Sequence, residues 1–355
     1  MENIKRLDSI DRKRLEYVDI SKCIGIILVV IGHCINKNMS QDNYILYICR
    51  LIIYTIHMPL FFIVSGILFK KNIGKYKDRS IRSLINNKIK IFIVPYISFS
   101  VINYIMFEIM LMLPKFKSVS IASGYQHHSL LEFITSVLTL NNVVDDHLWF
   151  IYVMFLIYVF AFTISKVDSS IFKSKNDKLI LFVFLFILYE LTYWVKLPEL
   201  IFKTIRYGFL FYIGYNFNNI LEYIKSYKFI CNILFVVLFI AYITVDNLDR
   251  SIKGIILPIL EIYSSYLLIE LSKCILKVYR IKEVLSYIGM NSYPIYLLHQ
   301  PFIVNGLVFI LLYTNFSYSI TIIIASILGC IIPLIINKTI IQKNKILKFY
   351  LLGNH

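Results

Sequence analysis

The chain has 355 residues, of which 58% are hydrophobic, and its formal net charge is +16. Soluble domains are only about 45–50% apolar, so this composition excludes a water-soluble globule, because too few polar residues remain to cover its surface. The Lys and Arg residues lie almost wholly between apolar runs, which indicates orientation in a membrane and argues against nucleic-acid binding.

Ten apolar segments long enough to cross a bilayer follow one another along the chain. A hydrocarbon core about 30 Å thick needs roughly 20 mostly apolar residues per helix. The segments lie at residues 20–36, 45–69, 90–113, 148–165, 179–195, 200–217, 229–245, 252–272, 292–313 and 318–337. The sequence therefore predicts one all-α, polytopic membrane domain over residues 1–355, with about ten transmembrane helices.

The basic residues between these segments predict the orientation of the helices. The loops on one side, together with both tails, contain 27 Lys and Arg residues, whereas the loops on the other side contain 6. Because positive residues favour the cytoplasmic side, both termini are predicted to be cytoplasmic. The cytoplasmic parts then include an N-terminal segment (1–19), a basic loop (70–90) and a C-terminal tail (338–355), and the longest extracytoplasmic loop is 114–147.

The first predicted helix carries Asp19, Lys22 and His33. His33 follows Lys22 by eleven residues, about three helical turns, so both side chains lie on one face, with Asp19 nearly on that face. An imidazole roughly 20 Å from the inner end of a helix suits a general base or a transient acyl carrier. The alternative is a hydrogen-bonded packing histidine with a lysine that extends to the membrane surface.

The second predicted helix contains His57 and Pro59, and it runs in the opposite direction. His57 is therefore expected at about the same depth as His33. Pro59 removes a backbone hydrogen bond and opens the helix where a polar group is needed. The alternative is an ordinary proline kink in which His57 binds the freed carbonyl.

Three further stretches contain candidate binding residues. Arg79 and Arg82 are spaced i, i+3 in the basic loop and are suited to phosphate oxygens, although most such loops only orient a protein. Asp145, Asp146, His147 and Trp149 open the fourth segment on the outer side, where Trp149 fits an interfacial anchor and His147 and Asp146 can face an acceptor. His299 places another imidazole in the ninth segment. The six cysteines have no C-x-x-C spacing, and we expect no metal site.

Six motifs, in this order along the chain, resemble those of the acyltransferase 3 family of membrane O-acyltransferases. They are Arg14 with Asp19 and Lys22; the stretch 29–33; the stretch 57–62 with Ser65 and Gly66; Arg79 with Arg82; His147 with Trp149 and Phe150; and the stretch 292–301. The resemblance implies transfer of an acyl group, usually acetyl, from cytoplasmic acyl-CoA to a hydroxyl of an envelope carbohydrate.

The resemblance also implies roles for individual residues and a branch of the family. Lys22 and His33 match a pair that the family requires for activity, and Arg79 with Arg82 matches its Arg-x-x-Arg pair, which we expect to hold acetyl-CoA. His57, His147, Trp149 and His299 are expected to shape the acceptor site. An acidic pair that larger members carry after the tryptophan is missing here, which favours the short branch of polysaccharide and sugar O-acetylases in the cytoplasmic membrane.

Three other kinds of membrane protein remain as alternatives. A transporter or flippase of envelope sugar intermediates, lipid-linked sugars included, also combines many helices with intramembrane charges, but it often has paired broken helices, which the sequence does not reveal. A polysaccharide polymerase or ligase is expected to concentrate arginines in a large external loop, and 114–147 has none. A scaffold without catalysis leaves the histidines of the apolar segments unexplained.

Overall fold

A computed structural model of the protein describes residues 15–113, 126–167, 175–245 and 249–353. Arg14, most of the segment 1–19 and the first part of the loop 114–147 lie outside the described residues. Within the described residues the chain is helical throughout and contains no strand. The all-α membrane-type fold predicted from the apolar segments is confirmed.

In the first half of the chain, the described residues form eight α-helices. They are α1 (Glu16–Cys34), α2 (Lys37–Asp42), α3 (Tyr44–Lys77), α4 (Ile81–Lys88), α5 (Val94–Met112), α6 (Leu130–Leu138), α7 (Trp149–Val167) and α8 (Lys175–Trp194). A π-helical turn (Ile89–Ile93) joins α4 to α5, and a 3-10 turn (Asp146–Leu148) leads into α7.

In the second half, nine α-helices lie within the part of the chain that is described. They are α9 (Glu199–Tyr215), α10 (Phe217–Ser226), α11 (Lys228–Thr244), α12 (Arg250–Ile275), α13 (Tyr279–Met290), α14 (Ser292–Leu298), α15 (Val304–Tyr313), α16 (Tyr318–Ile336) and α17 (Lys345–Leu352). Two π-helical turns follow α14 (His299–Ile303) and α16 (Asn337–Ile341).

Seven stretches of the described chain are long and apolar enough to cross a membrane, or eight if the bent pair α10–α11 counts as one span. They are Glu16–Cys34, Tyr44–Tyr76, Ile81–Met112, Asp146–Lys166, Ser251–Ile275, Ser292–Tyr313 and Tyr318–Ile341. The protein is thus a multi-pass membrane protein by the length and composition of its helices.

Three of the ten predicted segments do not reach the length of a full span. The apolar part of α8 is Leu179–Trp194, and α9 and α11 have 17 residues each. At 1.5 Å per residue a 17-residue helix is only about 25 Å long, less than the roughly 30 Å of a bilayer core. Apolar composition predicted these helices correctly, but the count of ten spans and the cytoplasmic termini stay predictions.

Short polar caps bring α1, α2 and α3 into a tight helix–turn–helix. The side chain of Asn36 accepts a hydrogen bond from Met39 N at 2.9 Å at the start of α2. The side chain of Asn43 likewise accepts a hydrogen bond from Leu46 N at 3.2 Å at the start of α3. Such caps satisfy backbone donors that have no partner inside the helix. The last turn of α1 therefore lies beside the first turns of α3.

The helix α1 lies at the centre of the bundle, where it contacts α3, α12, α13 and α16. Glycine allows two of the closest helix contacts. A Cβ on Gly289 of α13 would lie 1.8 Å from the carbonyl oxygen of Asp19 in α1. A Cβ on Gly66 of α3 would lie 2.0 Å from the carbonyl oxygen of Phe211 in α9. Small residues at such crossings let helix backbones touch, as they do in membrane bundles.

The apolar side chains of the outer helices point away from the bundle. α11 has no buried residue, although its sequence is almost wholly apolar. Phe229, Ile230 and Val237 of this helix are all more than half exposed. An apolar surface of this kind would be unstable in water, so its solvent is lipid.

Candidate active site

A cavity of about 600 Å³ lies at the end of the bundle where α1 ends and α3 begins. It is lined by the last turns of α1, the first half of α3, the turn before α7, the middle of α9 and the broken region after α14. Its polar lining includes His33, Arg50, His57, Asp145, His147 and Lys203. A cavity of this size suits a small polar ligand such as a sugar unit.

Three imidazole rings meet beside this cavity, and each comes from a different part of the chain. The ring centroid of His33 lies 5.2 Å from that of His299 and 6.5 Å from that of His147. The rings of His147 and His299 are 5.3 Å apart. The sequence identified each of these three histidines as a candidate site residue, and the structure shows that they are neighbours. In the part of the chain that is described, no group of three His, Cys, Asp or Glu side chains is arranged to hold a metal ion.

His299 lies behind the cavity and does not line it. The residue is fully buried, and its Nδ1 donates a hydrogen bond to the carbonyl of Tyr296 at 2.7 Å. The backbone breaks directly after it, because Gln300 has non-helical angles (φ −115°, ψ 158°) before Pro301. The sequence predicted His299 as a substrate contact, whereas its position makes it a support for the rings of His33 and His147.

His57 lines the cavity at the same end of the bundle as His33, at the depth expected from the helix directions. Its Nδ1 donates to the carbonyl of Ile53 at 2.6 Å. Pro59 frees a different carbonyl, that of residue 55 four positions before it. The explanation that His57 binds the carbonyl freed by Pro59 is therefore wrong. The ring of Tyr54 connects the two histidines, 5.0 Å from His57 and 6.4 Å from His33.

His147 is bound to a buried carboxylate. Its Nδ1 donates a hydrogen bond to Oδ1 of Asp145, and Oδ2 of Asp145 accepts one from Nδ2 of Asn103. The Asn142 side chain accepts from Asp145 N at 3.2 Å and donates to Ser100 Oγ at 2.7 Å, which fixes the loop that carries Asp145. The Nε2 atom of His147 is buried and has no hydrogen-bond partner among the described residues.

Trp149 forms part of the cavity wall and is not only an anchor at the membrane surface. Its ring lies 5.0 Å from that of Tyr207, and the Lys203 ammonium lies 4.5 Å from the ring centroid. Lys203 also forms an ion pair with the exposed Glu199 at 2.5 Å. On the opposite wall Arg50 lies over the ring of Tyr54 at 5.1 Å. The cavity is therefore lined by two cations that the sequence did not assign to the site.

Asp19 and Lys22 lie at the other end of α1. They form an i, i+3 ion pair at 3.1 Å, and neither lines the cavity. Eleven residues of helix place Lys22 about 16 Å along the axis from His33. The prediction that these side chains share a face of α1 agrees with its helical geometry. Residues on one face of a helix can still be far apart along it, and the structure shows no contact of Asp19 or Lys22 with His33.

Arg79 and Arg82 are exposed at the turn between α3 and α4. Ser80 caps α4 by accepting a hydrogen bond from Ser83 N at 3.2 Å, which holds the two arginines on either side of the helix start. Because α3 returns along α1, this turn lies at the same end of the bundle as Lys22. Neither Arg79 nor Arg82, which the sequence assigned to the acyl donor, lines the cavity.

The sequence search missed several residues that build the site. Asp145 precedes His147 by two positions, and this Asp-x-His spacing could have indicated that the carboxylate binds the histidine. Asn103, Arg50 and Lys203 carry no such signal, because their places beside His147 and Trp149 depend on how α5, α3 and α9 pack.

Comparison with known protein families agrees with the motifs. The signature of the acyltransferase 3 family, described as an acyltransferase domain, matches residues 15–336. The match begins at the start of α1 and ends with α16, so it includes every residue that lines the cavity. No curated protein and no solved structure matches the chain.

Proposed function

Because the chain belongs to the acyltransferase 3 family, we propose that it is a multi-pass O-acyltransferase of the cytoplasmic membrane. The acyl donor in this proposal is acyl-CoA, most simply acetyl-CoA, and the acceptor is a hydroxyl of a cell-envelope sugar or polysaccharide. The reaction forms an ester bond on the acceptor oxygen, breaks the carbon–sulfur bond of the thioester and releases CoA as a free thiol.

The observation that carries the proposal is the position of His33 in the wall of a cavity formed by apolar helices. An uncharged imidazole nitrogen can take a proton from a hydroxyl without a permanent charge in the membrane. It can also accept an acyl group for a short time. The neighbouring rings of His147 and His299 restrict the orientation of His33.

The basic residues at the opposite end of the bundle support a donor site there. Arg79 and Arg82 are exposed, and guanidinium groups bind phosphate oxygens in pairs. Lys22 lies in the first half of α1, away from the cavity, and is paired with Asp19. In the proposal the phosphates of acyl-CoA bind at this end, which we place in the cytoplasm, and its long arm carries the thioester along α1 towards His33.

Two measurements test the proposal. Envelope glycans from cells with and without the protein are compared by mass spectrometry, and we expect acyl esters only where the protein is present. The purified protein in proteoliposomes is then given radiolabelled acetyl-CoA and the glycan found in this way, and we expect label on the glycan. A transporter of sugar intermediates would move its cargo without consuming the thioester, so unchanged acetyl-CoA would contradict the proposal.

A further inference from the structure

We propose that His147, held in position by Asp145, is the general base that takes the proton from the acceptor hydroxyl. This inference rests on the proposed function and assigns the proton-transfer step within it. His147 is then the catalytic residue, and Asp145 and Asn103 are positioning residues. In the same reaction, His33 accepts the acyl group for a short time.

The hydrogen bonds around His147 fix which of its ring nitrogens can act. The Asp145 carboxylate accepts a proton from Nδ1 of His147 and, through its other oxygen, from Asn103. An imidazole that donates from Nδ1 has its lone pair on Nε2. This Nε2 atom has no partner among the described residues, although a buried polar atom normally has one. The chain therefore presents an oriented proton acceptor that its own fold does not use.

The His147–Asp145 pair is more deeply buried than the other histidine–carboxylate contacts of the described chain. The side chains of His147 and Asp145 are each 4% exposed. His127 also binds a carboxylate, that of Glu108 at 2.7 Å, but its side chain is 72% exposed. A contact in water contributes little, whereas a carboxylate in a low-dielectric site controls the tautomer and the orientation of its histidine.

The pair also lies where an acceptor would have to bind. His147 lines the cavity beside Trp149 and Tyr296, and its ring faces His33 at 6.5 Å between centroids. The Tyr296 hydroxyl donates to the His147 carbonyl and so ties α14 to this turn. A hydroxyl bound between the two rings would have a base on one side and the acyl group on the other.

The reaction then has two steps. The His33 imidazole first bonds to the acyl carbon while the carbon–sulfur bond breaks and its electron pair leaves with the CoA thiolate. The acceptor hydroxyl oxygen next bonds to the acyl carbon, its proton moves to Nε2 of His147, and the bond between the acyl carbon and His33 breaks. The proton on His147 then passes to that thiolate, which yields the free thiol and restores the neutral imidazole. Asp145 remains a carboxylate throughout and stabilises the transient imidazolium.

Replacing Asp145 by Asn tests this role with little change in shape. An asparagine can donate to Nδ1, which would move the lone pair to the wrong nitrogen. We expect Asp145→Asn to lower kcat by about 10²–10⁴-fold and to leave the KM for acetyl-CoA unchanged. Asn103→Ala, which keeps the carboxylate but loosens it, should lower kcat by about tenfold. The matched control is Glu108→Gln, which changes the exposed pair with His127 and should keep wild-type kcat.

Chemical rescue separates proton transfer from a structural role. His147→Gly leaves space beside the cavity, and we expect added imidazole to restore part of its kcat, since imidazole supplies the missing base. The melting temperature of each variant, measured in the same detergent, shows that it is folded. Wild-type kcat in Asp145→Asn, or a folded His147→Gly that imidazole does not rescue, would overturn the inference. A wild-type protein that consumes no thioester would instead overturn the proposed function.

Discussion

His33 and His299 meet edge to face, with ring centroids 5.2 Å apart and planes inclined by 61°. One ring comes from the last turn of α1 and the other from the break after α14, near the opposite end of the chain. His299 is fully buried and donates to the carbonyl of Tyr296, so its ring cannot turn freely. The cavity histidine is thus supported by a residue that does not itself line the cavity.

The first prediction concerns the basic turn at the far end of the bundle. Replacing Arg79 or Arg82 by Ala removes a cation from the proposed phosphate site, so the KM for acetyl-CoA should rise by about tenfold with kcat little changed. The steady-state kinetics of the purified variants give both constants. Arg280→Ala is the matched control, because Arg280 is also exposed and lies in another predicted cytoplasmic loop. Wild-type KM in both Arg79→Ala and Arg82→Ala would remove these residues from the donor site.

A second prediction tests the close contact between α3 and α9. An added Cβ at Gly66 would lie 2.0 Å from the Phe211 carbonyl oxygen, so the helices must separate. Gly66→Ala should therefore lower the free energy of unfolding by about 1–3 kcal/mol. Gly208 lies in α9 with nothing within 4 Å of such a Cβ, and Gly208→Ala should raise the free energy by about 0.5–1 kcal/mol. Equal changes in the free energy of unfolding for the two variants would show that close backbone contact is not the reason why position 66 is a glycine.

A third prediction concerns a buried ion pair outside the cavity. Arg206 of α9 lies 3.1 Å from Glu261 of α12 and 3.2 Å from the hydroxyl of Tyr189 in α8. Arg206→Ala leaves the carboxylate of Glu261 buried without its cation, and we expect a loss of about 3–5 kcal/mol in the free energy of unfolding.

The control for this ion pair is Lys282, which contacts Glu16 at 2.7 Å in a more exposed setting. Lys282→Ala should change the free energy of unfolding by no more than about 1 kcal/mol. Both values come from unfolding in the same detergent. A loss in Arg206→Ala no larger than that in Lys282→Ala would contradict the structural importance of the Arg206 pair.

The sequence predicted those features that follow from helical periodicity and apolar length. His33 and His57 were expected at one depth on antiparallel helices, and both line the cavity. Lys22 was placed correctly on the face of α1 that carries His33. Its distance from the cavity follows from the same 1.5 Å rise, so periodicity predicts a shared face but not a shared site.

The features that the sequence did not predict depend on packing between distant segments. Asn103 reaches Asp145 only because α5 packs beside the turn before α7. Lys203 lies within the apolar segment 200–217, and only the structure shows that its ammonium lies over the ring of Trp149 at the cavity wall. The count of ten spans stays a prediction, because apolar composition does not reveal whether helices as short as α9 and α11 cross a bilayer.

The release of free CoA thiol tests the central claim most directly. The purified protein is mixed with acetyl-CoA and its acceptor glycan, and the thiol is measured over time for the wild type and for His33→Ala. The proposed mechanism predicts thiol release by the wild type in step with glycan acylation, and release at least about 100-fold slower in a folded His33→Ala variant. Equal rates for the two proteins would contradict the role of His33, and no release by the wild type would contradict acyl transfer itself.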